Sequence, residues 1–393
     1  MITFNQTILD FLSQFQAHNH EAFVVGGSVR DALIGRSTHD VDITTSASID
    51  EIKAMFKDNI VSLEGVEYQS LAISFQDTVF QVTSYRHDSE YEFHRFPKTR
   101  QVISYQDDVW RRDFTVNGLY WNPQKGLIDL VNGLSDINHR RIKTIGDPHL
   151  RFEEDALRIL RALRFASECD FMIEENTLEA IIHHAPLIQS LSRERITQEV
   201  IKTLNGSGFK NIQVHLKQLF KEAYSLEYFY HNYSFEEVFH PLVKWLLVFK
   251  PKYQSLSEVM NIFAFTRKEK DLLIMLDEHA FVIPQADKVH IKGLLRRISM
   301  DAFGALCQLH RALNQLDAST FEEIMKLVSD IHLNQEAYTL AQLKIKGDEC
   351  VRKKMPYVEI SQFLNACLEE VIEHPEHNNF EYLTSLCDEW IKK

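Results

Sequence analysis

The chain changes its hydrophobic rhythm near residue 145, and that change limits the folds open to it. Before it, short apolar runs alternate with turn signals. Ala22–Val25, Val41–Thr45, Leu71–Phe75, Thr78–Tyr85 and Gly126–Val131 read as strands, with helices near Thr7–Ala17, Ser28–Leu33 and Ile49–Lys57. After it, strand signals nearly vanish. Apolar residues recur at helical spacing in Glu154–Ser167, Asn176–His184, Arg193–Leu204, Lys268–His279, Asp301–Gln315, Phe321–Leu333 and Ile360–Glu373. Gly146-Asp147-Pro148 marks a turn at the junction. The expectation is an α+β head with a small mixed sheet, followed by an all-α remainder.

At 393 residues the chain is too long for one core, so two or more domains are expected. An apolar share of 45% with few Gly and Pro excludes a disordered chain. The net charge of −13 excludes a binder that holds nucleic acid over its whole surface, so any RNA contact must be a local basic stripe. The five cysteines are widely spaced and odd in number, which points to reduced, buried thiols and a cytoplasmic setting. No apolar run approaches the ~18 residues of a membrane span, and no basic-then-apolar leader opens the chain.

Val24-Val25-Gly26-Gly27-Ser28-Val29-Arg30-Asp31 reads as strand, tight turn and helix start, with Ser28 as the cap. The Gly pair lets backbone approach a phosphate, and the new helix aims free N–H groups at it. Asp40 and Asp42 follow at i and i+2 of a β-rich run, which places both carboxylates on one face and Val41 and Ile43 on the other. Adjacent carboxylates repel unless a cation lies between them, and hard oxygen ligands suit Mg²⁺.

Two more runs carry charge in patterns with chemical meaning. In Trp110-Arg111-Arg112-Asp113-Phe114-Thr115-Val116-Asn117, paired guanidiniums suit a triphosphate. Alone, the same run serves as a surface ion-pair cluster. In Glu153-Glu154-Asp155-Ala156-Leu157-Arg158-Ile159-Leu160-Arg161-Ala162-Leu163-Arg164, the charged positions 155, 158, 161 and 164 step by three and sweep an arc of about 60° per step on a helix. Asp155 and Arg158 are i, i+3 neighbours. One reading is a salt bridge on a solvated face. The other is chemical. Cytosine and adenine each offer an exocyclic amino donor beside a ring-nitrogen acceptor, which an Asp–Arg pair complements; guanine and uracil present the reverse.

Together these motifs, with Leu33-Ile34-Gly35-Arg36 and His39 before the Asp pair, resemble the class II tRNA nucleotidyltransferase and poly(A) polymerase family, in its bacterial CCA-adding branch. The resemblance covers the first ~170 residues well and the rest weakly. It implies a polymerase-β-like head at 1–145, a helical neck with a base-templating helix at 146–207, a body at 208–316 and a tRNA-binding tail at 317–393, the last three forming an elongated helical remainder. It implies template-independent addition of C, C and A to the tRNA 3′ end from CTP and ATP, with Mg²⁺ on Asp40 and Asp42. Nucleotide contacts would come from Gly27, Arg30, Arg112, Asn117, Asp155, Arg158, Arg161 and Arg164, with Asp113 orienting the Arg pair. The partners implied are tRNA, gripped on its acceptor arm and TΨC side, and the two nucleotides; no membrane and no stable protein partner is implied.

Ser84-Tyr85-Arg86-His87-Asp88, Tyr91 and Arg95-Phe96-Pro97 read as a mobile loop and match the family's flexible loop at Arg86, Asp88, Tyr91, Arg95 and Pro97, which favours the full C-C-A product. Leu343-Lys344-Ile345-Lys346-Gly347-Asp348 resembles a turn of the tail, near the basic Arg352, Lys353 and Lys354. The sequence departs from the family twice. Gln81 stands where a Glu is usual, which removes a charge near the metal site, and Tyr68-Gln69-Ser70-Leu71 replaces a His-Gly-Thr-Val-like run. The alternatives are a poly(A) polymerase or partial CC- or A-adding enzyme, a non-catalytic RNA-binding protein on the same scaffold, and nucleotide transfer to a small molecule.

Overall fold

The computed structural model describes residues 4–36, 41–62, 69–92, 96–102, 104–235 and 238–392, with backbone only for 87–92 and 96–101. Chain contacts divide it into two units: residues 1–227 with 261–264, and residues 228–260 with 265–393.

The first unit opens with α1 (Gln6–Ala17), β1 (Ala22–Val25), α2 (Gly27–Leu33), β2 (Val41–Thr45), α3 (Ile49–Met55), β3 (Ile60–Ser62), β4 (Ser70–Phe75) and β5 (Thr78–Ser84). Next come β6 (Arg86–Glu92), β7 (Phe96–Gln101), α4 (Tyr105–Asp108), β8 (Leu119–Asn122), β9 (Gly126–Asp129) and α5 (Gly133–Asn138). Seven strands form one mixed sheet in the order β3-β4-β5-β2-β1-β8-β9, with β2 and β5 parallel and the other pairs antiparallel. The small mixed sheet expected from the sequence is therefore present.

Local chemistry sets these elements. Asn5 caps α1 by accepting from the Ile8 N–H at 3.0 Å. Phe11 and Phe15, one helical turn apart on α1, are fully buried, and Phe11 stacks on Phe80 of β5 at 4.1 Å. Ser48 and Glu51 close a capping box on α3. On β1, Phe23 and Val25 join a second core cluster with Tyr85, Val109 and Tyr120. The stretch expected to be a mobile loop forms an antiparallel pair, β6 with β7. Its polar sequence hides this, since the two strands pair only with each other.

The rest of the unit is helical: β10 (Arg141–Ile142), α6 (Pro148–Glu154), α7 (Leu157–Cys169), β11 (Met172–Ile173), α8 (Glu175–His183), α9 (Arg193–Asn205) and α10 (Phe209–Tyr224). α7 is buried along most of its length. A Cβ on Gly206 would fall 2.5 Å from the Ser167 carbonyl carbon, and one on Gly208 would fall 2.5 Å from the Asp170 Cα. The α9–α10 turn can therefore pass the end of α7 only as glycine.

The second unit holds α11 (Pro241–Phe249), α12 (Leu256–Met260), α13 (Arg267–Glu278), α14 (Lys288–Leu295), α15 (Met300–Ala312), α16 (Ala318–Leu333), α17 (Gly347–Arg352), α18 (Tyr357–Glu373) and α19 (Phe380–Lys392). α11 is apolar on every side and buried from Leu242 to Phe249 apart from Lys244. Lacking an amphipathic period, it gives no helical signal in the sequence. Cys350, Cys367 and Cys387 share a core with Phe363, and all five cysteines are free and buried. No described helix is long and apolar enough to cross a membrane.

Candidate active site

The site is built around the end of β1. Val25 pairs with Asp42 on β2, and Asp42 pairs in turn with Gln81 on β5. Val41 and Ile43 are buried while Asp42 is exposed, so the alternation expected from the sequence is present over these three positions. Asp40 lies outside the described residues. Gly26 has φ +67° and ψ −133°, a backbone conformation that side chains disfavour. A Cβ there would lie 3.8 Å from both Asp42 Oδ2 and Arg112 Nη1, so the bare turn sits between a carboxylate and a guanidinium. The cap of α2 is Gly26, with no side-chain cap bond. Ser28, expected to be the cap, is buried inside the helix. The turn needs a positive φ at the cap position, and glycine supplies it.

Arg112 is held from behind. Its Nε donates to Tyr120 Oη at 2.9 Å and its Nη2 to Asp108 Oδ2 at 3.0 Å. Arg111 Nε donates to Asp108 Oδ1 at 2.7 Å, and the Tyr120 hydroxyl to Asp108 Oδ2 at 2.8 Å. Burial alone would raise the Asp108 pKa. Arg111, Arg112 and the Tyr120 hydroxyl outweigh it and hold the carboxyl well below the usual range. Asp108 thus does the work the sequence reading gave to Asp113. The signal for it was its spacing, three and four residues before the Arg pair.

Asp113 has a different set of partners. It accepts from the Phe114 N–H at 2.8 Å, from Asn117 Nδ2 at 3.1 Å and from Arg161 Nε at 2.8 Å. Asn117 Oδ1 accepts from Arg30 Nη1 at 2.7 Å. Arg30 also pairs with Asp31 at 2.8 Å. A buried chain of polar contacts therefore runs from α2 through Asn117 and Asp113 to α7. Asp113 too is held low: burial raises it, but Arg161 and Asn117 overcome that.

The helix expected from Glu154 is broken. α6 ends at Glu154, Asp155 is extended (φ −143°, ψ 100°), and α7 starts at Leu157. Asp155 Oδ1 accepts from the Leu157 N–H at 3.0 Å, so its carboxylate caps the new helix. Burial raises its pKa by more than the nearby Arg158 lowers it. Arg158 is buried and donates to the Arg151 carbonyl (2.9 Å), Glu154 Oε2 (2.8 Å) and the Arg111 carbonyl (3.2 Å). Arg151, which the sequence reading passed over, donates to the carbonyls of Arg111 and Arg112, both at 2.9 Å. Two guanidiniums thus fasten the α6–α7 corner to the backbone of the Arg pair. Arg30, Arg161 and Arg164 lie 5.0, 5.0 and 4.2 Å from the Phe165 ring centre. Arg164 also reaches Glu199 at 3.2 Å, and burial followed by Arg161 lowers its pKa.

Residues 22–143 match the family model described as the Poly A polymerase head domain, and residues 170–219 match the one described as "Probable RNA and SrmB- binding site of polymerase A". The stretch from 22 to 143 is thus similar to a poly A polymerase head. The chain is similar to the CCA-adding enzyme of Enterococcus faecalis, 44% identical over 196 residues, which is 50% of this chain and 48% of that protein. It is also similar to that of Staphylococcus saprophyticus, 40% identical over 213 residues and 53% of each chain. Each alignment spans about half the length of the curated relative. Among solved structures, the CCA-adding enzyme of Bacillus stearothermophilus in complex with CTP superposes with a TM-score of 0.82 at 24% identity, covering 98% of both chains. The Thermotoga maritima CCA-adding enzyme complexed with tRNA superposes at 0.70 and 20%, covering 98% of this chain and 96% of that one. The fold is that of the class II CCA-adding enzymes, as the sequence motifs implied.

Within this head-like stretch, β6 and β7 carry the segment that matched the family's flexible loop. Arg86, Asp88, Tyr91 and Pro97 fall on those strands, and Arg95 lies outside the described residues. The Arg86 N–H donates to Asp108 Oδ1 at 3.3 Å, which joins the start of β6 to the carboxylate behind Arg112.

Proposed function

We propose that this chain is a template-independent CCA-adding tRNA nucleotidyltransferase. The observation that carries the reading is the placement of Arg112 Nη1 and Asp42 on either side of the Gly26 turn, with the α6–α7 corner bonded to the Arg111 and Arg112 backbone. One short segment thereby links the phosphate side of a bound nucleotide to Asp155, half-buried, and the buried Arg158.

In this reading the RNA 3′-hydroxyl attacks the α-phosphorus of CTP or ATP and pyrophosphate leaves. Gly27 offers its backbone N–H to the phosphates. Arg30, whose Nη2 lies 3.5 Å from where a Cβ of Gly27 would be, adds charge beside it. Arg112 faces the triphosphate, and Asn117, held from both ends, faces the ribose. Asp155 accepts the exocyclic amino group of cytosine or adenine, and Arg158 donates to the ring nitrogen. Arg161 and Arg164 add positive potential on the same helix. Asp40 and Asp42 would hold Mg²⁺, with Gln81 paired opposite Asp42 in the sheet, and carboxylate and amide oxygens are donors that fit a hard cation. Bound there, the ion lowers the hydroxyl's pKa and neutralises phosphate charge.

We assign residues 1–145 to the head, 146–207 to the neck, 208–316 to the body and 317–393 to the tail, the last three gripping the tRNA acceptor arm and TΨC side by shape and phosphate contacts. The buried free thiols support a cytoplasmic setting. The test uses purified chain, Mg²⁺, single nucleotides and tRNA transcripts ending before the first C, after the first C and after the second. The expected products are two C from CTP on the first transcript, one C from CTP on the second and one A from ATP on the third, with no further growth. Long A tails would make it a poly(A) polymerase, and loss of either the C steps or the A step alone would make it a partial enzyme. No incorporation would leave an RNA-binding scaffold.

A further inference from the structure

Three histidines converge on one point of the first unit. His149 lies in the first turn of α6, His183 is the last residue of α8, and His184 is its C-cap. Each offers a ring nitrogen, and the three nitrogens lie within 4.8 Å of one another. His149 Nδ1 and His184 Nε2 are 3.1 Å apart. The rings meet edge to face, with centres 4.7–5.4 Å apart.

We propose that His149, His183 and His184 form a binding site for a zinc-like transition-metal ion that clamps α6 to the end of α8. Zinc–imidazole bonds of ~2.0–2.1 Å place tetrahedral ligand nitrogens about 3.3 Å apart, close to the 3.1 Å between His149 and His184, and His183 closes in from within 4.8 Å. Without metal, a hydrogen bond joins His149 Nδ1 and His184 Nε2; for both nitrogens to ligate, the donor ring carries its hydrogen on its other nitrogen instead, and His183 completes the set. The carbonyls that end α8 favour a cation at this point. His184 is buried, His149 half-buried and His183 exposed, so the ion has an entry path and an open fourth position for water. The donor set is nitrogen rather than oxygen, which separates this site from the Mg²⁺ site proposed at Asp42. α6 ends at Glu154, so, on the function proposed above, the ion would steady the helix that leads into the base-reading Asp155.

The test strips purified full-length chain with a chelator and titrates it with Co²⁺ and Zn²⁺. The expected result is a tetrahedral Co²⁺ visible spectrum saturating at a single equivalent, bleached by Zn²⁺, with a zinc-dependent rise in Tm. Both signals should disappear in His149→Gln and in His183→Gln, two solvent-reachable positions whose metal-free melts should match wild type. Both should persist in Asp42→Ala. An absent Co²⁺ spectrum, or one that survives both histidine substitutions, would overturn the site.

Discussion

The two units bury different things. In the first, the interior holds Arg30, Asp108, Asp113, Arg151, Arg158, Arg164 and Glu199, joined by short polar contacts. In the second, the buried ionisable side chains among the described residues, cysteines and tyrosines aside, are Lys292, His310 and Glu336, and the rest of the interior is mostly aliphatic and aromatic. Buried charge is costly unless each group is paired, and apolar residues of the same volume often serve stability as well or better. Its concentration in one unit therefore points to positioning. The first unit holds guanidiniums and carboxylates in fixed places, whereas the second packs helices.

The comparison is tested first by the largest expected effect. Asp42→Ala should lower nucleotide transfer about a thousandfold or more while leaving the melting profile near wild type, since Asp42 is exposed on β2. Full activity would remove Asp42 from the chemistry. Next, Asp108→Asn leaves Arg111 and Arg112 short of a countercharge and should cost about 3–5 kcal/mol in urea unfolding. In the second unit, Lys292 donates to the Ile372 carbonyl at 3.2 Å and pairs with Glu336 at 2.6 Å, while Lys288 also reaches Glu336. Lys292→Met keeps one partner for Glu336 and should cost about 1–3 kcal/mol with base choice unchanged. Equal costs for these two substitutions would erase the contrast between the units.

A pH series sharpens it further. Asp108 and Asp113 have depressed folded pKa values, so their stabilisation is complete above the ordinary carboxylate pKa of about 4 and fades as pH falls below it. Asp155 is shifted the other way and takes up its proton at a higher pH. As pH falls, the kcat/KM preference for CTP over UTP should therefore decline before the fold does. A preference that holds until unfolding would remove Asp155 from base reading. The smallest effect expected is from Gln81→Glu. A carboxylate beside Asp42 should reduce the Mg²⁺ concentration for half-maximal activity a few-fold, about 1 kcal/mol or less. An unchanged requirement would place residue 81 outside the metal's reach.

What was legible in the sequence follows the same division. The Gly26–Asp31 run and the Asp42 strand could be read because a positive φ and a period of two leave marks in residue type. β8 could not, because all four of its residues are buried and no alternation survives. The break at Asp155 was hidden because Ala156, Leu157 and Arg158 are good helix formers, and only a side-chain cap reveals the new start. Spacing alone puts Asp108 near Arg111 and Arg112, but the Tyr120 hydroxyl that completes its bonds lies twelve residues away, beyond the reach of local spacing.

Arg151 and Arg158 hold the Arg111–Arg112 segment by its carbonyl oxygens rather than by its side chains. A carbonyl is the same whatever residue bears it. Substitutions at 111 and 112 can therefore retune phosphate affinity without shifting the corner at Asp155. The two recognition tasks, phosphate and base, can drift or be engineered separately, although a single set of bonds holds them in register.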